Sequence, residues 1–137
     1  MALTHLVDTS VLARAGTPGV QTVLSGHLRS GSAARAGISD LEVGFSARNA
    51  AEWDALTAAV ATFVLIETTD AHVRRARQVQ RRLAERGLRG RKVPDLLVAA
   101  AAEDHGFVVL HYDVDFDLIR EVTGQPTEWV VPAGSID

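Results

Sequence analysis

Five carboxylates in this sequence each lie at the end of a predicted strand or near the start of a predicted helix: Asp8, Glu42, Asp95, Asp113 and Asp115. In an open parallel sheet the carboxyl ends of the strands meet at one edge, so we expect these side chains to lie together. Clustered carboxylates take up protons near neutral pH unless a cation accompanies them. Oxygen ligands favour Mg²⁺ or Mn²⁺, and the chain has no cysteine to supply a soft ligand. Such an ion can activate water, so the acids predict metal-dependent phosphodiester hydrolysis.

Each acid also has a purely structural interpretation. Asp8 and Asp113 could act only as N-caps of the helices that follow them. Glu42 could complete a capping box with Ser39, and Asp95 could merely complement a helix dipole. The predicted coincidence of all five acids at one sheet edge favours the metal site over these separate explanations.

Short apolar stretches alternate with longer, helix-forming segments along the whole chain. The predicted strands are residues 6–7, 36–39, 63–66, 107–110 and 129–131. This alternation predicts an α/β fold, with one domain over residues 1–137 and a central parallel sheet flanked by helices. Residues 29–37 and 87–92 are rich in Gly, Ser and Arg and are predicted to be loops.

Residues that favour helix N-termini follow the predicted strands. Such residues occupy positions 8–10, 39–42 and 69–70, and Asp113 follows the fourth strand. Pro94 suits the first turn of a helix that crosses the alanine-rich residues 95–102 and stops at Gly106. The helices are therefore predicted to begin where the acids lie.

At these positions the chain resembles the PIN-domain nucleases. The matching segments, in chain order, are Leu6-Val7-Asp8-Thr9-Ser10, the Ser39-x-x-Glu42 turn, Pro94-Asp95, and residues 110–116 with the sequence LHYDVDF. The resemblance covers nearly the whole chain, and its motif order is most similar to that of the VapC-like toxins. It implies a Mg²⁺- or Mn²⁺-dependent endoribonuclease that cuts structured RNA, forms a homodimer and is held inactive by a cognate antitoxin.

The resemblance also implies a role for each acid. Asp8 and Asp95 match the most direct metal ligands, and Asp115 matches an additional or water-mediated ligand. Glu42 and Asp113 complete the acidic pocket. All five are therefore expected to bind the metal and to be catalytic.

Three further residues are expected to support these ligands: Thr9, Ser10 and His111. The family usually has a Thr or Ser two residues before the first Asp of the last motif, where this chain has His111. Whether the imidazole replaces that hydroxyl contact stays open.

Charge is segregated along the chain. The net charge of −3 would argue against a nucleic-acid partner, but nine of the 14 Lys and Arg residues lie between Arg74 and Lys92, where Glu85 is the only acid. At about 100° per residue, residues 73, 76, 79 and 83 form an apolar helix face and the arginines form the opposite face. A solvated face usually mixes both signs, whereas this one is almost wholly positive, and the positive charge continues into the predicted loop that follows. We therefore favour contact with RNA phosphates through residues of the face and of that loop: Arg81, Arg82, Arg89, Arg91 and Lys92.

Two other functions compete with the nuclease. Asp113-Val114-Asp115 after a strand is typical of haloacid-dehalogenase-like phosphatases, but too little chain follows it to build that fold. A catalytically inactive PIN-like regulatory binding module, in which the acids are only caps, is the stronger alternative. The residues after Met1 lack the basic segment and the apolar core of a signal peptide. No uncharged apolar run is long enough to span a bilayer. We therefore expect a cytoplasmic protein with no membrane partner.

Overall fold

The computed structural model describes residues 2–88 and 92–137. Within these ranges the strands are β1 (His5–Val7), β2 (Ala33–Ala36), β3 (Val64–Ile66), β4 (Val108–His111) and β5 (Thr127–Trp129). The helices are α1 (Thr9–Leu12), α2 (Pro18–Ser30), α3 (Gly37–Gly44), α4 (Ala50–Val60), α5 (Asp70–Glu85), α6 (Val93–His105) and α7 (Asp115–Thr123). None of these helices is long and apolar enough to cross a bilayer.

The strands form one sheet in the order β3-β2-β1-β4-β5, and each neighbouring pair is parallel. Successive side chains of a strand point to opposite faces. Leu6 accordingly packs into one apolar cluster with residues of α5, α6 and α7, whereas Val7 packs into a second with Val20 and Leu24 of α2. The predicted α/β fold with a parallel sheet between helices is confirmed.

The pairing of β1 with β4 sets the position of the acids. These strands are hydrogen-bonded neighbours in the centre of the sheet, and the backbone N–H of Asp8 donates to the carbonyl of Leu110 at 2.9 Å. The residues that follow β1 and β4 therefore emerge side by side at the carboxyl edge.

The prediction for the second strand is wrong in position. β2 lies within residues 29–37, which were predicted to be a loop, and residues 37–39 already belong to α3. Arg35 explains the error: it is a charged residue that is only 9% exposed, and its guanidinium makes hydrogen bonds of 2.7 and 3.2 Å to the Asp40 carboxylate. The N-cap of α3 is Ala36, so Ser39 is not a cap and cannot form the predicted capping box with Glu42.

The buried face of α5 differs from prediction at one residue. Val73 is 45% exposed, and His72, which is 1% exposed, lies in the core beside Ala76 and Val79. His72 Nε2 lies 2.9 Å from Asp104 Oδ2 in the last turn of α6. The start of α5 therefore lies at the end of α6, so the two helices run antiparallel and the C-terminal end of α5 lies toward the start of α6.

Candidate active site

Asp8 is held by the first turn that follows β1. It is the N-cap of α1, and its Oδ2 accepts a hydrogen bond from the Ser10 N–H at 2.9 Å. The capping role is thus real, but it occupies one oxygen only: Oδ1 is buried and has no hydrogen-bond partner in the described structure. Burial of this 2% exposed residue raises its pKa to about 6.

Asp95 is buried in the first turn of α6, two residues after Val93. It is 3% exposed, and its Oδ2 also lacks a partner among the described residues. Burial, together with the charges of Asp8 and Asp113, raises its pKa to about 8. A dipole-complementing residue would normally be solvated, so burial of this carboxylate indicates a further role.

Asp113 lies just beyond β4, and both of its carboxylate oxygens accept hydrogen bonds. Its Oδ2 accepts from Lys92 Nζ at 2.6 Å and its Oδ1 from the Asp115 N–H at 2.9 Å. Burial pushes its pKa upward, but the hydrogen bond from Lys92 and the one from the Asp115 backbone hold the pKa below its usual range. The N-cap of α7 is Val114, so Asp113 is not the N-cap it could have been.

Three of the predicted acids form a compact group at the starts of α6 and α7. Carboxylate oxygens of Asp95, Asp113 and Asp115 lie within 4.8 Å of one another. Asp8 adds to the same field, since its charge contributes to the raised pKa of Asp95. Asp8, Asp95 and Asp113 also line one open concavity of about 230 Å³.

Glu42 reaches the same concavity from α3. Its Oε1 accepts from the Thr9 hydroxyl at 2.8 Å, which ties α3 to the turn that carries Asp8. The charge of Glu42 contributes to the raised pKa of Asp8. All five predicted acids are thus brought to one edge of the sheet.

The other two predicted supporting residues contact the β4 end of the site. The Ser10 hydroxyl accepts from the Tyr112 N–H at 2.9 Å, and His111 Nδ1 accepts from the Asp113 N–H at 3.2 Å. His111 is fully buried between Phe116 and Trp129, and burial lowers its pKa to about 4. A neutral imidazole therefore orients the turn that bears Asp113, at the position where the resemblance implied a hydroxyl.

The chemistry of this donor set fits a divalent cation. Its ligand atoms are hard carboxylate oxygens, as Mg²⁺ and Mn²⁺ prefer. The two orphaned oxygens, Asp8 Oδ1 and Asp95 Oδ2, are buried acceptors that lack a donor. Leaving a buried acceptor unsatisfied is costly, and a cation would satisfy both.

The predicted RNA-binding residues fall in three places. Arg81 and Arg82 are exposed on α5, where Arg81 also pairs with Glu85. Lys92 is engaged with Asp113 at the acidic site. Arg89 and Arg91 lie outside the described residues.

Sequence reasoning missed two polar side chains that line the concavity, those of Arg14 and Tyr112. Tyr112 sits inside the last acidic motif, directly before Asp113, so its position was a usable signal. Arg14 follows Asp8 by six residues in a turn, and no periodic pattern marks it.

Comparison with known proteins places these observations in a family. The model of the PIN domain matches residues 6–122. The chain is 58% identical over 137 residues to "Ribonuclease VapC51" of Mycobacterium tuberculosis, with 100% of both chains covered. The fold resembles that of DNA-bound VapBC from Salmonella typhimurium (TM-score 0.75, 15% identity, 94% of this chain and 99% of that chain covered). It also resembles VapBC-5, a member of the VapBC family of toxin-antitoxin systems from Mycobacterium tuberculosis (TM-score 0.60, 23% identity, 93% and 95% covered).

Proposed function

This chain belongs to the PIN-domain family, and we propose that it is a Mg²⁺- or Mn²⁺-dependent endoribonuclease that acts as the toxin of a toxin–antitoxin pair. The observation that carries the proposal is the pair of buried, unpartnered carboxylate oxygens, Asp8 Oδ1 and Asp95 Oδ2, in one acidic concavity. A regulatory module that needed these acids only as caps would have no reason to bury acceptors without donors. The relative named ribonuclease VapC51 supports the same activity.

In the proposed site Asp8, Asp95 and Asp113 would hold the ion, and Glu42 and Asp115 would add negative charge around it. When bound, such an ion supplies an activated water and charge stabilisation for hydrolysis of an RNA phosphodiester. Other residues of the chain hold these acids in position. Thr9 orients Glu42 through a 2.8 Å hydrogen bond, and His111 orients the Asp113 turn.

The basic face of α5 is proposed to position RNA. Arg75 is not available for this, because it makes hydrogen bonds of 2.6 and 3.1 Å to Glu103 of α6. Arg82 lies seven residues further along, about 10 Å at 1.5 Å per residue. Arg82 therefore lies toward the start of α6, where Asp95 is buried. An RNA backbone bound on this face would extend toward the acids.

The proposed partner is a cognate antitoxin that shields the acidic pocket, inserting a basic side chain in place of the metal charge. We place the pair in the cytoplasm with the RNA, and propose that the nuclease domain spans residues 1–137 and forms a homodimer. Val130 supports a domain that extends past residue 122, where the family match ends, because it belongs to the same buried apolar cluster as Val7. A toxin–antitoxin complex whose partner leaves the pocket open would contradict this mode of inhibition.

The experiment that tests the activity maps RNA ends after brief expression of the protein. New ends should accumulate with the wild type and not with Asp8→Ala. Asp54→Ala, at an exposed residue of α4, is the matched control and should behave as the wild type. If the wild type produces no new RNA ends beyond those seen with Asp8→Ala, the regulatory binding module would be favoured.

A further inference from the structure

Arg14 lies at the acidic concavity and has no role in the mechanism above. Its side chain lines the same cavity as Asp8 and Asp95. Its Nε donates to the backbone oxygen of Asp137, and its Nη1 to that of Ser10, each at 2.7 Å. Within residues 2–88 and 92–137 no side-chain carboxylate forms an ion pair with it. Since a guanidinium carries five N–H donors, these two bonds leave three for a ligand.

Tyr112 holds this guanidinium in place. Cζ of Arg14 lies 4.8 Å from the centroid of the Tyr112 ring, a cation–π arrangement. The ring is itself fixed, because its hydroxyl donates to the Ile136 carbonyl at 2.7 Å and accepts from the Ile136 N–H at 3.1 Å. A side chain that is already ordered loses little conformational entropy when it binds a ligand.

The chemistry of the surroundings selects the ligand. A guanidinium fork matches the geometry of a phosphate and binds it through two parallel hydrogen bonds. The neighbouring carboxylates repel a lone anion, so an anion in this cavity would have to be one that a divalent cation at those carboxylates also attracts, as an RNA phosphate is. Resting on the proposed function, we propose that Arg14, supported by Tyr112, binds a phosphate of the RNA backbone beside the acidic pocket.

The test compares Arg14→Gln and Arg14→Lys with Arg29→Gln, an exposed arginine in the last turn of α2 that precedes β2 and therefore lies at the opposite edge of the sheet. The probe is bulk bacterial transfer RNA, cleaved with Mn²⁺ or bound in an Asp8→Asn background at several salt concentrations. Arg14→Gln should lower kcat/KM about 10- to 100-fold, as expected for loss of a charged hydrogen bond. It should also reduce the log-log salt slope of binding by about 0.7.

Arg14→Lys keeps the charge but loses the fork and the stacking. It should preserve the salt slope and recover only part of kcat/KM. If Arg14→Gln does not fold, Arg14→Lys carries the test, and wild-type kcat/KM in that variant would overturn the proposal.

A purely structural role for Arg14 would act through the tail at residues 136–137. Tyr112→Phe separates the two roles, because it keeps the ring under the guanidinium and removes the hydroxyl bonds to Ile136. This variant loosens the ring that holds the guanidinium, so kcat/KM should fall, but by less than in Arg14→Gln, and the salt slope should not change because the charge of Arg14 remains. Equal losses in Tyr112→Phe and Arg14→Gln, with an unchanged slope in both, would overturn the proposal.

Failure of this inference differs from failure of the proposed function. If the wild type does not cleave RNA with Mn²⁺, or if Asp8→Asn cleaves as well as the wild type, the proposed function fails and the role of Arg14 fails with it. If cleavage depends on Asp8 but Arg14→Gln behaves as Arg29→Gln, only the role of Arg14 is refuted.

Discussion

Lys92 Nζ lies 2.6 Å from Asp113 Oδ2, so the chain itself supplies a cation to the acidic pocket. The hydrogen bond to Asp113 raises the pKa of Lys92, and the charges of Asp95 and Asp115 add to that rise. The ammonium group therefore stabilises the carboxylates when no metal is bound. It also competes with a metal for Asp113.

The first prediction concerns this competition. Lys92→Gln should lower the metal-free stability by about 1 kcal/mol or less, because the lysine is 61% exposed and the pair is screened by water. The same change should tighten Mn²⁺ binding several-fold, measured by calorimetric titration. Weaker Mn²⁺ binding in Lys92→Gln would show that the lysine does not compete for the site.

The second prediction concerns metal binding to the folded state. An ion that binds only the folded pocket shifts the equilibrium by mass action, by about 2.7 kcal/mol at 100 times Kd, which corresponds to about 10 °C in Tm. We expect this rise for the wild type with Mn²⁺ or Mg²⁺. The Asp8→Asn/Asp95→Asn double variant should lose the rise, and without metal it should melt above the wild type because carboxylate repulsion is relieved. Equal metal shifts in both proteins would refute the site.

The third prediction follows from the raised pKa of Asp95. The unfolded chain loses this proton near pH 3.8, whereas the folded protein keeps it to about pH 8. The stabilisation is therefore fully present below pH 3.8 and is lost as the pH rises through 8. In a chelator, the free energy of unfolding of the wild type should fall relative to that of Asp95→Asn between pH 6.5 and 8.

That window avoids the opposite effect of His111. The pKa of His111 is lowered from 6.5 to about 4, so its contribution is present above pH 6.5 and is lost as the pH falls toward 4. With Mn²⁺ the pH trend should reverse, because the ion binds the deprotonated carboxylates. If the difference in unfolding free energy between the wild type and Asp95→Asn stays constant from pH 6.5 to 8, the raised pKa of Asp95 is contradicted.

The fourth prediction separates RNA binding from stability at the basic residues of α5 and of the segment that follows it in the sequence. Replacing Arg81, Arg82, Arg89 and Arg91 with glutamine should lower the log-log salt slope of RNA binding by about 0.7 to 0.9 for each lost contact. Unfolding free energies should change by only about 0.5 kcal/mol per residue, and Mn²⁺ binding should persist. Arg120→Gln, in the last turn of α7 before β5, is a control at the far edge of the sheet. An unchanged salt slope with intact folding would leave the basic face as a solubilising surface.

The sequence predicted the acidic site better than the elements around it. Asp8 and Asp113 follow β1 and β4 directly, so finding the apolar strands was enough to place them. β2 was misplaced because Ala33-Ala34-Arg35-Ala36 has low strand propensity and contains a charged residue. The ion pair with Asp40 and a hydrogen bond to the Phe63 carbonyl make burial of Arg35 favourable.

The tertiary contacts of polar side chains were the other feature that local sequence patterns did not predict. Lys92 belonged to a basic run, yet in the fold it contacts Asp113, 21 residues away in sequence. Val73 fitted the apolar periodicity of α5, but His72 is the residue buried in the core. Its burial is possible because Asp104 forms a hydrogen bond with the imidazole. A buried polar side chain of this kind is specified by a tertiary partner, which periodicity does not reveal.

The most direct test of the central claim is cleavage of RNA by purified protein with Mn²⁺, comparing the wild type with Asp95→Asn and with Asp54→Asn. Asparagine keeps the shape of the side chain and removes its charge, so a folded Asp95→Asn protein isolates the carboxylate. We expect metal-dependent cleavage by the wild type and Asp54→Asn, abolished by a chelator, and no cleavage by Asp95→Asn. Cleavage that persists in Asp95→Asn, or that does not respond to the chelator, would contradict it.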